Sequence, residues 1–174
     1  MLAQPNAAAP TERIPGVVLT VSDRCSRGEA EDLSGPLAVA LLADFGVDAE
    51  LECVPDEVQE IRLAIGRSVA SGAKLIVTTG GTGLAPRDVT PEATEPLLVT
   101  RIAGLEDAMR RAGEPHAPAA ALSRGLVGVT RRDAKGALVV NAPGSRGGVK
   151  EAVAVVGPLV AHILDQLAGG DHAR

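Results

Sequence analysis

The run TTGGTG near the middle of the sequence is the stretch best suited to binding phosphate. Its glycines carry no Cβ atom, so backbone N–H groups can approach phosphate oxygens, and its threonines add hydroxyl donors. Glycines can instead serve only a tight turn, but three glycines ringed by threonines after an apolar run favour phosphate binding. The residues concerned are Thr78, Thr79, Gly80, Gly81, Thr82 and Gly83.

This loop differs from both of the common nucleotide-binding signatures. No lysine follows the glycines as it does in a Walker sequence, and the full GxGxxG spacing is also missing. The pattern therefore argues against a P-loop kinase and against a nicotinamide-dependent dehydrogenase.

A carboxylate, Asp88, follows the loop closely. Beside bound phosphates it would be repelled unless a cation intervened, so Asp88 is predicted to bind Mg²⁺, which prefers carboxylate, water and phosphate oxygens. Asp56 comes at the end of a neighbouring predicted strand and is the natural second ligand. Two plainer roles remain open, because Asp88 can form a surface ion pair with Arg87 and Asp56 can cap the helix that follows it.

Two other predicted strand ends carry polar loops, and ligands of open α/β sheets bind outside the carboxyl ends of the strands. Ser22 and Asp23 end the first strand, where they either form a turn or hydrogen-bond a polar ligand. A second glycine-rich turn precedes a helix and resembles another anion site, with Arg146 or Lys150 to neutralise charge. Two anion sites suggest two phosphorylated substrates. The second turn contains Pro143, Gly144, Ser145, Gly147 and Gly148.

Composition narrows the classes of partner. Phe45 is the only aromatic residue and the formal net charge is -5, so the aromatic platforms and positive field of nucleic-acid-binding proteins are absent. No apolar run approaches the ~18 uninterrupted residues of a membrane span, and the N-terminal stretch lacks a signal-peptide pattern. Cys25 and Cys53 are the only cysteines, and the three histidines are scattered. We therefore expect a cytoplasmic protein with reduced thiols, no zinc site, and no nucleic-acid or membrane partner.

The length of 174 residues fits one domain. Residues 1–13 are rich in alanine, proline and polar residues without periodicity, and we expect a flexible leader there. One folded domain is predicted over residues 14–168, followed by a frayed tail over residues 169–174.

Short apolar runs that predict buried strands take turns with segments of helical periodicity, which predicts the order βαβαβ up to the glycine-rich loop and implies a parallel sheet. Two later strands, Leu126–Thr130 and Ala137–Asn141, are predicted to pair antiparallel, and an amphipathic helix over Val149–Leu167 closes the chain. Capping preferences place three helix starts at Ser34, Asp56 and Thr90.

Taken together, these motifs resemble the molybdenum cofactor biosynthesis protein B family of molybdopterin adenylyltransferases, whose fold the gephyrin G domain shares. The resemblance covers nearly everything after Ile14, and its most specific part is TTGGTG with PRDVTPEAT. It implies a three-layer α/β/α sandwich with a mostly parallel sheet and one antiparallel strand, in a homotrimer or homohexamer. The other matching segments are TVSDR, EDLSGP, VPDE, LSRGLVGV and NAPGS.

The resemblance also implies an activity, the transfer of AMP from Mg-ATP to the terminal phosphate of molybdopterin with release of pyrophosphate. Its two important aspartates fall on Asp56 and Asp88, as catalytic residues and Mg²⁺ ligands. A catalytically weak relative that only holds molybdopterin or a partner protein is the alternative. The predicted substrate-binding residues are Ser22, Asp23, Thr79, Gly80, Gly81, Thr82, Gly83, Thr90, Pro143, Gly144 and Ser145.

Overall fold

A six-stranded sheet in the order β2-β1-β3-β6-β5-β4 organises the molecule, and the computed structural model describes residues 13–170. The strands are β1 (Ile14–Val21), β2 (Val47–Val54), β3 (Leu75–Thr79), β4 (Thr100–Arg101), β5 (Val127–Val129) and β6 (Leu138–Ala142). The helices are α1 (Asp23–Ser26), α2 (Gly35–Ala43), α3 (Val58–Ala70), α4 (Thr90–Thr94), α5 (Ala103–Gly113), α6 (Arg146–Val156) and α7 (Val160–Leu167). Short 3-10 turns occupy Glu95–Leu97, Pro118–Leu122 and Gly157–Leu159.

Strands β2, β1, β3 and β6 are parallel, whereas β5 runs antiparallel to both of its neighbours. The predicted mostly parallel sheet with one antiparallel strand is therefore confirmed. The predicted antiparallel pair is also confirmed, with both strands starting one residue later than the sequence suggested.

Successive residues of the central strands face opposite sides of the sheet, which produces two apolar cores. Val18 and Val77 belong to the core beneath α2, α5, α6 and α7, whereas Leu19 and Ile76 belong to the core beneath α3 and α4. Because both faces of β1, β3 and β6 are covered, these strands read as continuous apolar runs rather than alternating ones. The three-layer α/β/α prediction is thus confirmed.

The closing helix predicted over Val149–Leu167 is wrong in one respect, because the structure divides it into α6 and α7. The division falls at the 3-10 turn Gly157–Leu159. Pro158 has no N–H for a helical hydrogen bond, and a Cβ atom on Gly157 would collide with the ring of Phe45. The only aromatic side chain therefore packs against the break.

One stretch within residues 13–170 has the length and the apolar composition of a membrane span, although no such segment was predicted from the sequence. Arg146–Leu167 has 22 residues and a mean hydropathy of 1.4 in its most apolar window, enough in length and composition to cross a membrane. Here it forms two helices whose Val149, Val153 and Val160 are buried in the core. Packing against the sheet accounts for its apolar character.

The ends of the described chain are tied to the fold. Arg13, which the predicted leader included, donates to the Val47 carbonyl at 3.1 Å, and Gly170, in the predicted tail, donates to the Asp165 carbonyl at 2.9 Å. The rest of these two predictions, residues 1–12 and 171–174, lies outside the described residues.

Helix α2 is capped by a different residue from the one predicted. Ser34 occupies the N-cap position, but its side chain makes no capping hydrogen bond. Asp32 does so instead: its Oδ1 accepts from the backbone N–H groups of Ser34 at 3.1 Å and Gly35 at 2.9 Å. Its Oδ2 accepts from the Thr20 hydroxyl at 2.5 Å, which also ties the helix start to β1.

Glu106 is a buried carboxylate that joins α5 to β5. Its side chain is 3% exposed, accepts from the Val127 N–H at 3.1 Å, and pairs with Arg101 at 2.7 Å. Burial alone would raise the pKa of Glu106, but the hydrogen bonds from Arg101 and Val127 outweigh it and hold the pKa below its ordinary value of 4.5. Glu106 therefore stabilises the fold as a charged group.

We expect Glu106→Gln to lower the free energy of unfolding by about 1–2 kcal/mol at neutral pH, because a charged hydrogen bond is lost while Arg101 keeps access to water. The lowered pKa means that this contribution is complete above pH 4.5 and is lost as pH falls through the folded-state pKa below it. Urea unfolding of both proteins at neutral pH and well below pH 4.5 should show the gap closing. A gap that stays constant across this range would contradict the assignment.

Candidate active site

The loop between β3 and α4, residues 80–89, lies at the carboxyl end of the central strand β3 and begins with two glycines in left-handed backbone conformations. Gly80 has φ 102° and Gly81 has φ 65°. A Cβ atom on Gly80 would lie 2.5 Å from the Val21 carbonyl oxygen, and one on Gly81 would collide with the Thr90 hydroxyl. Glycine is required here by both conformation and close packing.

Three consecutive amides of this loop have no partner within residues 13–170. The N–H groups of Gly81, Thr82 and Gly83 donate to no other atom of this part of the chain, whereas Gly80 donates to the Ala142 carbonyl at 3.1 Å. Neighbouring free amides of a glycine-rich turn form an anion-binding concavity. Among the backbone N–H groups of the predicted phosphate-binding loop, those of residues 81–83 are therefore the ones available to an anion.

The carboxylates of Asp56 and Asp88 both lie beside glycines of this loop. The Asp56 Oδ1 atom would lie 3.4 Å from a Cβ on Gly81, and the Asp88 Oδ2 atom would lie 2.7 Å from a Cβ on Gly83. The absent side chains of these glycines thus leave room for the carboxylates. This juxtaposition puts two negative charges beside three free amides.

Asp56 does not cap α3, which was the plainer of its two predicted roles. The N-cap residue of α3 is Glu57, whose side chain also makes no capping hydrogen bond. Asp56 reaches across to α1 instead: its Oδ2 accepts from the Asp23 N–H at 2.8 Å, while Asp23 Oδ1 accepts from the Asp56 N–H at 3.0 Å. This reciprocal pair joins the ends of β1 and β2.

The surface ion pair considered for Arg87 and Asp88 is also not formed. Arg87 pairs with Asp23 and with Glu57, each at 2.8 Å. The hydrogen bond from Arg87 holds the pKa of Asp23 below its ordinary value. Burial raises the pKa of Asp56, the Asp23 N–H opposes this shift, and the charges of Asp23 and Asp88 add to it. A nearby cation would relieve this repulsion.

The donor set fits a magnesium ion that is shared with a phosphorylated ligand. Asp56 Oδ1 and Asp88 Oδ1 accept no hydrogen bond within the described part of the chain, whereas Asp88 Oδ2 accepts from the Ala85 N–H at 2.9 Å. No group of three or more acidic, histidine or cysteine residues in that part could hold a metal alone. Mg²⁺ suits such a site, because it commonly takes one or two carboxylates and completes its shell with phosphate oxygens and water.

The hydroxyls of three predicted substrate-binding residues have hydrogen-bond partners inside the protein. The Ser22 hydroxyl accepts from the Cys25 N–H at 3.2 Å and caps α1, which agrees with the turn considered for it. Thr79 and Thr90 are fully buried; their hydroxyls bond the Ser34 hydroxyl at 2.9 Å and the Gly80 carbonyl at 2.9 Å. Both hydroxyls therefore have a partner inside the protein, and their contact with substrate stays a prediction. Thr90 is also the first residue of α4 rather than its cap.

The second glycine-rich turn packs against the first, although its glycines were misplaced by the sequence reading. Gly147 and Gly148 lie inside the first turn of α6, and the Ser145 hydroxyl caps this helix by accepting from the Gly148 N–H at 3.0 Å. A Cβ atom on Gly144 would lie 3.1 Å from the Gly80 Cα atom. The two predicted anion-binding turns are thus direct neighbours.

A cavity of about 510 Å³ opens beside these turns. Thr82 and Gly83 line it from the first turn, and Pro143 and Ser145 line it from the second. The rest of its wall comes mainly from α5, the 3-10 turn that follows it and α6, and it combines apolar side chains such as Met109 with charged ones such as Arg110 and Glu151. Neither Asp56 nor Asp88 lines this cavity.

Within residues 13–170, the surroundings of the two thiols are separate from those of His116. Cys25 and Cys53 are free thiols. Burial raises the pKa of the Cys53 thiol to about 11, so this thiol is neutral at physiological pH and a poor nucleophile. His116 lies at the cavity and pairs with Glu151 at 3.0 Å.

A buried amide supports the loop from beneath, and the sequence reading missed it. Asn141 is fully buried; its Nδ2 donates to the hydroxyls of Thr78 and Thr94 at 3.0 Å each, and its Oδ1 accepts from the Leu126 N–H at 3.2 Å. Thr94 in turn donates to the Thr90 carbonyl at 2.8 Å. Asparagine within an apolar strand was the signal that could have revealed this role, since a buried amide must find partners.

We expect Asn141→Leu to lower the free energy of unfolding by about 2–4 kcal/mol, because two hydroxyls and a backbone N–H lose a partner in a buried place. Urea unfolding monitored by circular dichroism measures the change. Ser71→Ala is the control. It removes an exposed hydroxyl that donates only to the Ser68 carbonyl at the end of the same helix, and it should change the free energy of unfolding by less than ~0.5 kcal/mol. Equal effects of the two substitutions would show that the Asn141 network is not stabilising.

Comparisons with known proteins agree with this geometry. Residues 17–162 match the family model described as a probable molybdopterin binding domain. The chain is 36% identical over 147 residues to the molybdopterin adenylyltransferase of Pyrococcus furiosus, covering 84% of this chain and 87% of that protein. It is 41% identical over 168 residues to the molybdenum cofactor biosynthesis bifunctional protein of Synechococcus elongatus, covering 94% of this chain but 51% of that protein.

The fold is also that of solved structures. A putative molybdenum cofactor biosynthesis protein from Corynebacterium diphtheriae superposes with a TM-score of 0.81 at 37% identity. The match covers 90% of this chain and 99% of that one. The similarity therefore extends over nearly the whole described fold.

Proposed function

This chain belongs to the family of probable molybdopterin binding domains, and we propose that it is a molybdopterin adenylyltransferase that acts in molybdenum cofactor biosynthesis. It transfers AMP from ATP to the terminal phosphate of molybdopterin, giving adenylylated molybdopterin and pyrophosphate. The relative from Pyrococcus furiosus that carries this activity in its name supports the proposal.

One observation carries the proposal further than family membership does. Three free amides, at residues 81–83, lie between two carboxylates that each keep an unbonded oxygen within residues 13–170. A phosphoryl-transfer site needs donors for phosphate oxygens and a means of balancing their charge, and catalysis there is mainly positioning and electrostatic stabilisation. A site that only binds a pterin has no need of both carboxylates.

The residues of the loop have separate tasks in this reaction. The amides of Gly81, Thr82 and Gly83 hold phosphate oxygens and align the two substrates. The molybdopterin phosphate oxygen attacks the α-phosphorus of ATP, and the bond from that phosphorus to the bridging oxygen of pyrophosphate breaks. No side-chain base is needed, because the attacking phosphate is already an anion.

Asp56 and Asp88 would hold Mg²⁺ together with the phosphates of ATP. When bound, the ion neutralises the charge that develops on the transferred and leaving phosphates. Asp23 and Arg87 keep Asp56 in place, since the reciprocal bonds between Asp23 and Asp56 fix the carboxylate and Arg87 fixes Asp23.

The apolar cavity is the proposed place for the organic part of molybdopterin. It adjoins both glycine-rich turns, so a ligand there can direct its terminal phosphate to the free amides. Its walls contain no Phe, Tyr or Trp, which leaves the His116 ring, backbone groups and polar side chains to recognise the pterin. Ser145 and Pro143 are the members of the second turn placed to contact it.

Assembly and location belong to the same proposal. We expect a cytoplasmic homotrimer or homohexamer, and exposed apolar side chains such as Leu33, Leu63 and Val99 provide surface for contacts between copies. Light scattering at several protein concentrations distinguishes three copies from six. A monomer at micromolar concentration would overturn this part.

Incubation of the pure protein with molybdopterin, ATP and Mg²⁺ tests the activity. We expect adenylylated molybdopterin and pyrophosphate in equal amounts, detected by chromatography and a coupled phosphate assay. Binding of molybdopterin without either product would reject the enzyme and favour a holding or scaffold role.

A further inference from the structure

Arg124 lies outside the glycine-rich loop but bonds both of its sides. It sits between the 3-10 turn Pro118–Leu122 and β5, and its Nε donates to the Gly83 carbonyl at 2.8 Å while its Nη2 donates to the Asp88 carbonyl at 2.7 Å. Its Nη1 forms an ion pair with Glu92 in α4. The backbone N–H of Arg124 donates to the Thr82 carbonyl at 2.9 Å.

Arg87 anchors the far part of the loop through its ion pairs with Asp23 in α1 and with Glu57 at the start of α3, each at 2.8 Å. The Gly81 carbonyl accepts from the Thr90 N–H at 3.0 Å, which closes the base of the loop. Within it, Ala85 and Asp88 exchange hydrogen bonds, through the Asp88 carboxylate at 2.9 Å and the Ala85 carbonyl at 2.9 Å. These bonds shape the tip but do not set its distance from the free amides. In the described part of the chain, Arg124 is the one side chain that hydrogen-bonds both Gly83, beside those amides, and Asp88.

We propose that Arg124 is a positioning residue for the reaction proposed above: its guanidinium fixes the Gly83 and Asp88 carbonyls, and so fixes the Asp88 carboxylate relative to the amides of residues 81–83. This inference rests on the proposed function for its effect on turnover. The three guanidinium nitrogens each donate a hydrogen bond to an oxygen of the protein itself. This arrangement is typical of a side chain that holds a loop in place rather than of one that binds phosphate.

The chemistry of the side chain makes the inference specific to arginine. A guanidinium is planar and presents five N–H donors in a rigid fork, so two carbonyls held by one guanidinium also have a fixed separation. A lysine ammonium keeps the positive charge but is a single point on a flexible stem. Lysine at this position would therefore leave the charge near Glu92 and lose the geometry.

Arg124→Lys tests this positioning role, with Arg131→Lys as the matched control. Arg131 lies in the turn between β5 and β6, is 57% exposed, and pairs with Asp133. We expect Arg124→Lys to lower kcat for AMP transfer by about 30-fold while KM for ATP and for molybdopterin changes by less than ~3-fold, because misplacement acts in the transition state. Arg131→Lys should retain wild-type values.

Glu92→Gln separates the ion pair from the carbonyl contacts, because it removes the former and leaves the latter. Its kcat should stay within ~3-fold of the wild type if the carbonyl contacts carry the effect. A 30-fold loss of kcat in this variant would assign the effect to the ion pair with Glu92 and overturn the positioning role of the carbonyl contacts. Thermal unfolding of each variant, followed by calorimetry, ensures that rates refer to folded protein.

Amide hydrogen exchange gives a readout that does not depend on activity. Peptides covering the hydrogen-bonded amides of Ala85 and Asp88 should exchange about tenfold faster in Arg124→Lys than in the wild type, and unchanged in Arg131→Lys. Wild-type exchange in Arg124→Lys, or a loss confined to KM for ATP, would overturn the inference; the second outcome would make Arg124 a substrate contact. If the wild type transfers no AMP, the proposed function fails, and the exchange comparison still decides whether Arg124 holds the loop.

Discussion

Asp88→Ala is expected to lower AMP transfer by about 1,000-fold or more, while molybdopterin still binds with an affinity within about threefold of the wild type. The carboxylate lies against Gly83 and keeps one oxygen without a hydrogen bond within residues 13–170, so its removal takes away charge balance at the transferred phosphate. The cavity proposed for molybdopterin is lined by other residues, which is why binding should survive. Single-turnover kinetics and a fluorescence titration measure the two quantities.

Asp88→Asn refines this result, because the amide oxygen can still accept from the Ala85 N–H and preserve the loop. A similar loss of turnover is expected, since the charge is gone while the shape is kept. Asp133→Asn provides a control for loss of one surface carboxylate and should have wild-type activity. Near-wild-type turnover in both Asp88 variants would falsify the assignment of this residue.

Gly80→Ala is expected to damage stability and turnover together. At φ 102° an L-residue is strained, and the added Cβ would stand 2.5 Å from the Val21 carbonyl oxygen, which belongs to a core strand and cannot easily move. We expect the free energy of unfolding to fall by about 2–3 kcal/mol. Turnover of the folded protein should fall by about 100-fold, because a displacement of about 1 Å in the loop misaligns the reacting phosphates.

Gly66→Ala is the matched control, since Gly66 lies in α3 with no atom within 4 Å of an added Cβ. Alanine there should raise the free energy of unfolding by about 0.5–1 kcal/mol and leave turnover unchanged. Urea unfolding and steady-state kinetics on both variants make the comparison. If Gly80→Ala behaved like Gly66→Ala, the left-handed turn described for the loop would be wrong.

Much of the fold was accessible from the sequence, because its signals are local. The apolar runs of β1 and β3, the glycines that follow α2 and α3, and the antiparallel β5–β6 pair were all predicted near their observed positions. Errors arose where two local signals compete. Ser34 was chosen as a cap because its residue type suits one, but Asp32 lies two positions earlier and its charged carboxylate takes the same N–H groups.

The sequence predicted which residues belong to the candidate site better than it predicted the contacts between them. The glycine-rich loop, Asp56 and Asp88 were identified from residue type and from their place after strands. The partner of each group was not, because partners come from distant segments: Asp56 bonds Asp23, 33 positions away, and Arg124 bonds the Asp88 carbonyl, 36 positions away. Nothing in local spacing distinguishes these pairs from the alternatives.

The sequence by itself determined that a glycine-rich, threonine-rich loop follows a buried strand and that carboxylates accompany it, since residue type and period are properties of short segments. Only the tertiary structure decided which amides remain free for a ligand and which oxygens remain for a metal. The Gly80 N–H and the Thr79 and Thr90 hydroxyls have partners inside the protein, because β3 packs against β6 and α2 and the loop packs on α4. Buried hydrogen-bonding groups must be paired within the fold. The polar groups that the fold leaves unpaired at the ends of the strands therefore make up the candidate site.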